Sequence, residues 1–278
     1  MVIQLTRFLL RLSPDGLGIR LIRALAARTQ RPPITEAQQH AMAQADRLHY
    51  GADGRHAAWV WGHGPLVILV HGWNGRAAQL APLALDIAQR GFRCVAVDIT
   101  GHGSSPGQRT AWACFINDIA ALSQSLGQEV YAYIGHSAGG LAMMATRALK
   151  GIQAQRYVCV CAPSHPFPPI DVIRARLHPR ASLVARYKRH IARQFQASWE
   201  DLEAGRAYLE TGSDLLLFYD EADRLVAHGE GDRIQRLAPQ SRLTKTLSYG
   251  HTKVLGAPEL AEAVGAFLQP GTGFAQAA

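Results

Sequence analysis

No apolar run in this 278-residue chain approaches the roughly 18 residues that a membrane-spanning helix requires, which excludes a helical integral membrane protein. The N-terminal Phe8-Leu9-Leu10 is closed at once by Arg11. That is too short for the apolar centre of a secretory leader, so a cytoplasmic location is expected. Cysteine is scarce. Cys94, Cys159 and Cys161 fall in apolar strand-like runs and Cys114 in a helical pattern, so the expectation is four reduced thiols with no disulfide framework and no metal site. No internal repeat is present. The chain carries a net charge of +8, yet no recognition motif or aromatic stacking pattern accompanies it, so a nucleic-acid partner is not expected. Acidic residues are missing locally as well. Residues 174–193 hold Arg174, Arg176, Arg180, Arg186, Lys188, Arg189 and Arg193 without one carboxylate, and residues 1–35 hold six arginines against one aspartate.

What remains is a globular composition, 48% hydrophobic and 18% charged, in a chain long enough to bury a sizeable core. Residues 3–28 set leucines between arginines, and Ser13-Pro14-Asp15-Gly16 divides them into two short helices expected on the domain surface. A basic amphipathic contact with an anionic membrane is the alternative use for them. Arg31-Pro32-Pro33 then makes a stiff connector, and residues 36–46 read as a further helix. Asp53-Gly54 marks a hairpin between LHY and HAAWVW. Leu66–Val70 is an apolar run suited to a strand buried on both faces. Helices over residues 77–90, 109–126 and 258–268 alternate with strands over residues 93–97, 130–134, 156–161, 215–219 and 243–247. Such alternation predicts a mostly parallel sheet with helices on both faces. His71, Asp98, Ser137, Pro163, Asp220 to Asp223 and His251 all fall just beyond strands, and open parallel sheets bind ligands at that edge.

The centre of the pattern is VYAYIGHSAGG, residues 130–140. A strand runs into Gly135-His136-Ser137-Ala138-Gly139 and a helix follows, so the serine sits on a tight strand-to-helix corner with its hydroxyl lifted out. A serine hydroxyl needs a base beside it, and histidine titrates near neutrality. His251 lies beyond the last strand and before a helix, from where it can reach across the sheet edge. His136, next to the serine, must leave in another direction. Asp220, Glu221 and Asp223 all follow the strand DLLLFY and could hold the imidazole.

His71-Gly72-Trp73, Asp98 with Gly101-His102-Gly103-Ser104, the elbow, Asp223 and Gly250-His251 occur in one order on one kind of element. In this the chain resembles the α/β-hydrolase family over roughly residues 48–268. The resemblance implies an α/β-hydrolase fold with a mostly parallel central sheet of about eight strands, helices on both faces and a helical cap. It selects Asp223, with Val226 three residues on, as the acid, with Asp220 in reserve. It makes Ser137 the nucleophile and His251 the base, and implies an oxyanion hole from the backbone N–H groups of Ala138 and Trp73. His71 and His102 resemble loop-shaping residues. The implied division is an N-terminal helical extension (1–46), a core (47–163 and 213–269), a cap insertion (164–212) and a disordered tail (270–278).

A serine hydrolase acting on a carboxylic ester or thioester through an acyl-enzyme is therefore expected, with no cofactor and a small-molecule substrate. Acyl transfer, lactone or C–C bond hydrolysis uses the same triad, and a non-catalytic small-molecule receptor keeps the same fold. The basic run within the insertion suggests an anionic substrate, with Leu177, Leu183, Val184, Ile191 and Phe195 facing inward to line an apolar pocket. Oligomeric state is not encoded in any feature of the sequence.

Overall fold

The structure is a computed structural model that describes residues 2–269. The expected disordered tail, residues 270–278, lies outside the described residues. Eight strands form one sheet: β1 (Asp46–Tyr50), β2 (His56–Trp61), β3 (Leu66–Val70), β4 (Arg93–Val97), β5 (Val130–His136), β6 (Arg156–Val160), β7 (Asp214–Asp220) and β8 (Arg242–Thr246). Their order is β1-β2-β4-β3-β5-β6-β7-β8. Only β2 runs antiparallel to its neighbours, pairing Tyr50 with His56 across the Asp53-Gly54 turn. Every residue of β3 is buried, as a central strand covered on both faces requires. Each such aliphatic side chain contributes on the order of 2 kcal/mol by burial.

Helices α1 (Val2–Leu12), α2 (Asp15–Ala27) and α3 (Glu36–Met42) precede the sheet. Thr35 and Gln38 close a reciprocal capping box at the start of α3. Next come α4 (Ala81–Gln89), α5 (Trp112–Leu126) and α6 (Ala138–Lys150). Between β6 and β7 lie α7 (Pro168–Leu177), α8 (Ala181–Gln194) and α9 (Trp199–Glu203), with a 3₁₀ turn at Arg206–Tyr208. Then follow α10 (Gly229–Leu237), α11 (Gly250–Lys253) and α12 (Pro258–Leu268). The expected helix over 109–126 starts only at Trp112, because residues 109–110 pair with the N-terminal segment instead. Gly205, at φ +82°, separates α9 from the 3₁₀ turn that follows it. Proline at the first two positions of α7 starts a helix that the proline-rich sequence concealed.

The N-terminal helices are not merely laid on the surface. Leu10 and Ile22 are fully buried against the α7–α8 layer, and a Cβ on Gly18 would stand 2.9 Å from Leu183. The Ala27 carbonyl accepts from Thr110 N at 2.8 Å, and Thr29 N donates to the Gln108 carbonyl at 3.1 Å. Asp15 accepts from Arg180 at 3.0 Å and from Arg186 at 3.1 Å. The segment therefore bridges the insertion helices and the loop before α5. No described helix is long and apolar enough to cross a membrane.

Candidate active site

Ser137 stands between β5 and α6 at φ +52° and ψ −121°, a conformation that costs a side chain about 1–3 kcal/mol. Surrounding bonds enforce it. Ser137 N donates to the Val160 carbonyl at 2.9 Å, and the Ser137 carbonyl accepts from Gly140 N at 3.0 Å. The flanking glycines are a matter of space. A Cβ on Gly135 would stand 2.5 Å from the Gly140 Cα, and one on Gly139 would stand 2.3 Å from the Val70 carbonyl oxygen. The elbow thus lies directly against the end of β3.

His251 Nε2 is 3.0 Å from Ser137 Oγ, and His251 Nδ1 is 2.6 Å from Asp223 Oδ2. The other oxygen of Asp223 accepts from Leu225 N at 2.8 Å and Val226 N at 2.9 Å. Burial pushes the Asp223 carboxyl up, but the His251 hydrogen bond and charge, with the two backbone N–H groups, hold it below the usual carboxylate range. Ser137, Asp223 and His251, expected from three separate segments, are therefore within reach of one another.

Asp220 and Glu221 were the other candidates. Glu221 is exposed. Asp220 is fully buried rather than in a solvated loop, and none of its hydrogen bonds goes to the imidazole. It accepts from Thr246 Oγ1 (2.7 Å), Tyr249 N (3.1 Å), Gly250 N (2.7 Å) and Ala222 N (3.0 Å). Burial raises its pKa, yet those donors bring it below the ordinary carboxylate value. One carboxylate so ties the end of β7 to the segment that carries His251. His136 adds a second brace. Its Nε2–H donates to the His251 carbonyl at 2.8 Å, while Nδ1 is buried without a partner. Burial, then the neighbouring His251, lowers its pKa to about 3, so it stays a neutral donor. The sequence signal for this role is adjacency to the serine, which was read only as excluding His136 as the base.

The loop after β3 is fixed by two more neutral histidines. His71 accepts from Ile99 N at 3.1 Å and donates through Nδ1 to the Gly72 carbonyl at 2.7 Å. His102 accepts from Asn74 N at 3.1 Å. Burial lowers the pKa of His71 to about 4 and that of His102 to about 3. Asp98 draws the neighbouring loops together through Ala77 N, Ser104 N and Trp59 Nε1. Trp73 and Ala138 wall the cavity that holds Ser137, and neither backbone N–H donates to a group among the described residues. The Trp73 ring stacks on Phe115 at 5.6 Å with 14° between planes.

That cavity holds about 770 Å³. Its walls come from three sources: the elbow and loop edge, α7 through Pro168, Val172, Ile173 and Arg176, and the N-terminal segment through Leu25, Arg28, Thr29 and Pro32. No feature of the sequence points to the third. Leu177, Leu183, Val184, Ile191 and Phe195, expected to line an apolar pocket, are buried in the core and do not wall this cavity, although Ile191 walls a smaller one beside it. Of the seven cations between 174 and 193, only Arg176 reaches the cavity. Acids from outside the run answer Arg180 and Arg186 through Asp15, and Lys188 through Glu203.

Cys161, Asp223 and His251 could offer ligand atoms within 4.8 Å of one another. The donor set is poor for a metal. Burial pushes the Cys161 thiol far up, and Asp223 already accepts from the imidazole nitrogen that would have to coordinate.

The profile of the alpha/beta hydrolase family matches residues 67–268. A serine hydrolase-like protein of Dictyostelium discoideum is 23% identical over 208 residues, 70% of this chain and 57% of that protein. A 2-(acetamidomethylene)succinate hydrolase of Mesorhizobium japonicum is 35% identical over 80 residues, 28% of each chain. The chain thus spans 57% and 28% of the lengths of these two relatives. Among solved structures, Est1E of Butyrivibrio proteoclasticus with ferulic acid bound superposes with a TM-score of 0.61 at 16% identity, over 79% of this chain and 97% of that one. At that identity the likeness speaks for the fold.

Proposed function

The chain belongs to the α/β-hydrolase family, and from that premise we propose that it is a serine hydrolase cleaving a carboxylic ester or thioester through an acyl-enzyme. The observation that carries the reading is the continuous path from Asp223 through His251 to Ser137, with contacts of 2.6 and 3.0 Å.

Ser137 Oγ attacks the carbonyl carbon while its proton passes to His251 Nε2. The resulting imidazolium is stabilised by the ionised Asp223, which holds Nδ1–H without taking the proton. Negative charge on the former carbonyl oxygen is met by the N–H groups of Ala138 and Trp73, donors that have no other acceptor. The tetrahedral intermediate collapses, and His251 gives its proton to the departing alcohol or thiol. Water then attacks the acyl-enzyme, its proton passing to His251 and back to Ser137 as the acid leaves. Helices α7–α9 and the N-terminal segment act as the cap that covers this chemistry. The hydrolase name of the Mesorhizobium japonicum relative agrees with this reaction class.

The test combines a fluorophosphonate label with p-nitrophenyl esters of increasing chain length and matched acyl thioesters. One adduct is expected, on Ser137, together with turnover of at least one ester series. A label on another serine, or binding of esters with neither label nor turnover, overturns the reading; the second result would leave a small-molecule receptor.

A further inference from the structure

We infer that the chain carries an anion-binding site beside the catalytic cavity and distinct from it, for a small ligand bearing two or more negative charges. The site is a second cavity of about 420 Å³, where α2 meets the start of α5 and the flank of α8. Arg20 and Arg23 enter it from α2 and Arg109 from the loop before α5. No Asp or Glu lines it. It is separated from the Ser137 cavity by walls common to both, Ala26, Trp73 and Trp112.

Among the described residues, the guanidinium groups of Arg20, Arg23 and Arg109 form no ion pair and no hydrogen bond. Other arginines of the same layer do: Arg180 and Arg186 reach Asp15, and Arg31 reaches the carbonyls of Ser105 and Gly107. Like charges gathered around one concavity make its potential positive, and concave walls focus that field outward, which favours a bound anion. Guanidinium forks suit the planar or tetrahedral oxygens of carboxylate and phosphate, which they grip in pairs.

A second observation comes from a group that carries no charge. Trp112 Nε1 is buried without a hydrogen-bond partner among the described residues, and Trp112, only 2% exposed, walls this cavity. Buried polar atoms are seldom left unpaired in a native protein. α5 begins at the same place, with no side-chain cap and no acidic residue in its first turn; Gln194 from α8 accepts from Ala113 N. Guanidinium groups and a helix start thus line one concavity, with an unpaired indole N–H in its wall and no carboxylate of the chain's own.

Two sources supply such a ligand: a free polyanion, or the anionic arm of the substrate whose ester lies on Ser137. The second rests on the hydrolase reading above; the site itself does not. The probe is inorganic pyrophosphate, titrated calorimetrically into the full-length Ser137→Ala variant at fixed ionic strength. The expected result is a single site with Kd below about 1 mM. Arg23→Ser with Arg109→Ser is expected to weaken it at least about tenfold. Arg189→Ser with Arg193→Ser removes the same charge from exposed positions on α8 outside the cavity and is expected to stay within about twofold. The Trp112 indole N–H resonance, identified by Trp112→Phe, is expected to shift on titration. Pyrophosphate that does not bind, or equal losses in the two double variants, overturns the site. Displacement of pyrophosphate by a phosphorylated or dicarboxylated ester, but not by a neutral ester of equal length, assigns the site to the substrate arm. Retained pyrophosphate binding against both esters assigns it to a free anion. Fluorophosphonate labelling of the wild-type chain reads the hydrolase separately from all of these.

Discussion

The strand-end loops and the helical layer above them handle charge in opposite ways. At the strand ends, His71, Asp98, His102, His136, Asp220 and Asp223 are buried, and each makes a named hydrogen bond. In the layer of α1, α2, α7 and α8, the charges are half-exposed or exposed; Asp15 answers Arg180 and Arg186, Glu203 answers Lys188, and Arg20 and Arg23 form no ion pair among the described residues. A buried charge must be paired or it destabilises the fold, so the lower region has little freedom to vary. Exposed cations cost little to keep, so the upper region is free to differ with the ligand. The lower region reads as the machine of the reaction and the upper one as its selector, and each can be broken separately.

The largest expected effect belongs to the lower region. Ser137→Ala should fold with an unchanged unfolding midpoint or a slightly raised one, since the strained φ remains but the hydroxyl goes. Its kcat should fall by about 10⁴ or more on any ester that the wild type turns over. Activity within tenfold of wild type would place the nucleophile elsewhere.

Asp220→Ala comes next, and it separates two kinds of carboxylate. Four donors lose their acceptor inside the protein, so unfolding free energy should drop by roughly 3 kcal/mol. kcat should fall as well, because the segment bearing His251 loses its tie to β7. Linkage gives a further reading. The folded carboxyl has a depressed pKa, so its stabilisation is fully present above the unfolded value, about 3.9, and is lost as pH falls through the folded value. The stability gap between wild type and Asp220→Asn should therefore be constant from pH 7 to 5 and narrow below about pH 4. A gap independent of pH down to pH 2 would remove the ionised carboxylate from the account.

The same two carboxylates show what a sequence can and cannot disclose here. Ser137 was legible because its geometry is local: a strand, glycines and a helix in consecutive residues. The alternating elements made the sheet and the edge that carries Ser137 legible for the same reason. Asp220 and Asp223 lie three residues apart on one turn, and their difference is set by contacts with residues 246–251. Nothing in DLLLFYDEAD carries that information. The basic run over 174–193 looked unpaired because its counter-charges, Asp15 and Glu203, come from outside it. The N-terminal segment was read as surface for a related reason. Its buried side chains, Leu10 and Ile22, meet partners more than a hundred residues away, beyond the reach of any helical period.

Ile22 tests whether that segment belongs to the pocket. It is fully buried under the α7–α8 layer. Ile22→Ala should cost about 3 kcal/mol if its surroundings relax little. Because Leu25, Arg28 and Thr29 of the same segment line the catalytic cavity, KM should rise more than kcat falls. A pure stability loss with unchanged KM would show that the segment covers the site without shaping it.

The smallest effect is expected from Asp15→Asn, and its smallness is the point. Asp15 joins α2 to α8 through Arg180 and Arg186, but the arginine side chains are 41% and 48% exposed. Ion pairs at such positions are worth about 1 kcal/mol or less and weaken as salt rises. The unfolding midpoint should therefore move by about 2 °C at most. KM for a neutral ester should stay unchanged, since Ile22 and Leu10 still hold the layer in place. Removing the acid that answers Arg180 and Arg186 leaves the upper region more positive. At low salt, kcat/KM for a carboxylate-bearing ester should therefore rise by up to about twofold, and the rise should vanish by about 0.5 M salt. If Asp15→Asn instead unlatches the layer, with a midpoint loss and KM shift as large as those of Ile22→Ala, then ion pairs rather than buried side chains hold the selector on the machine.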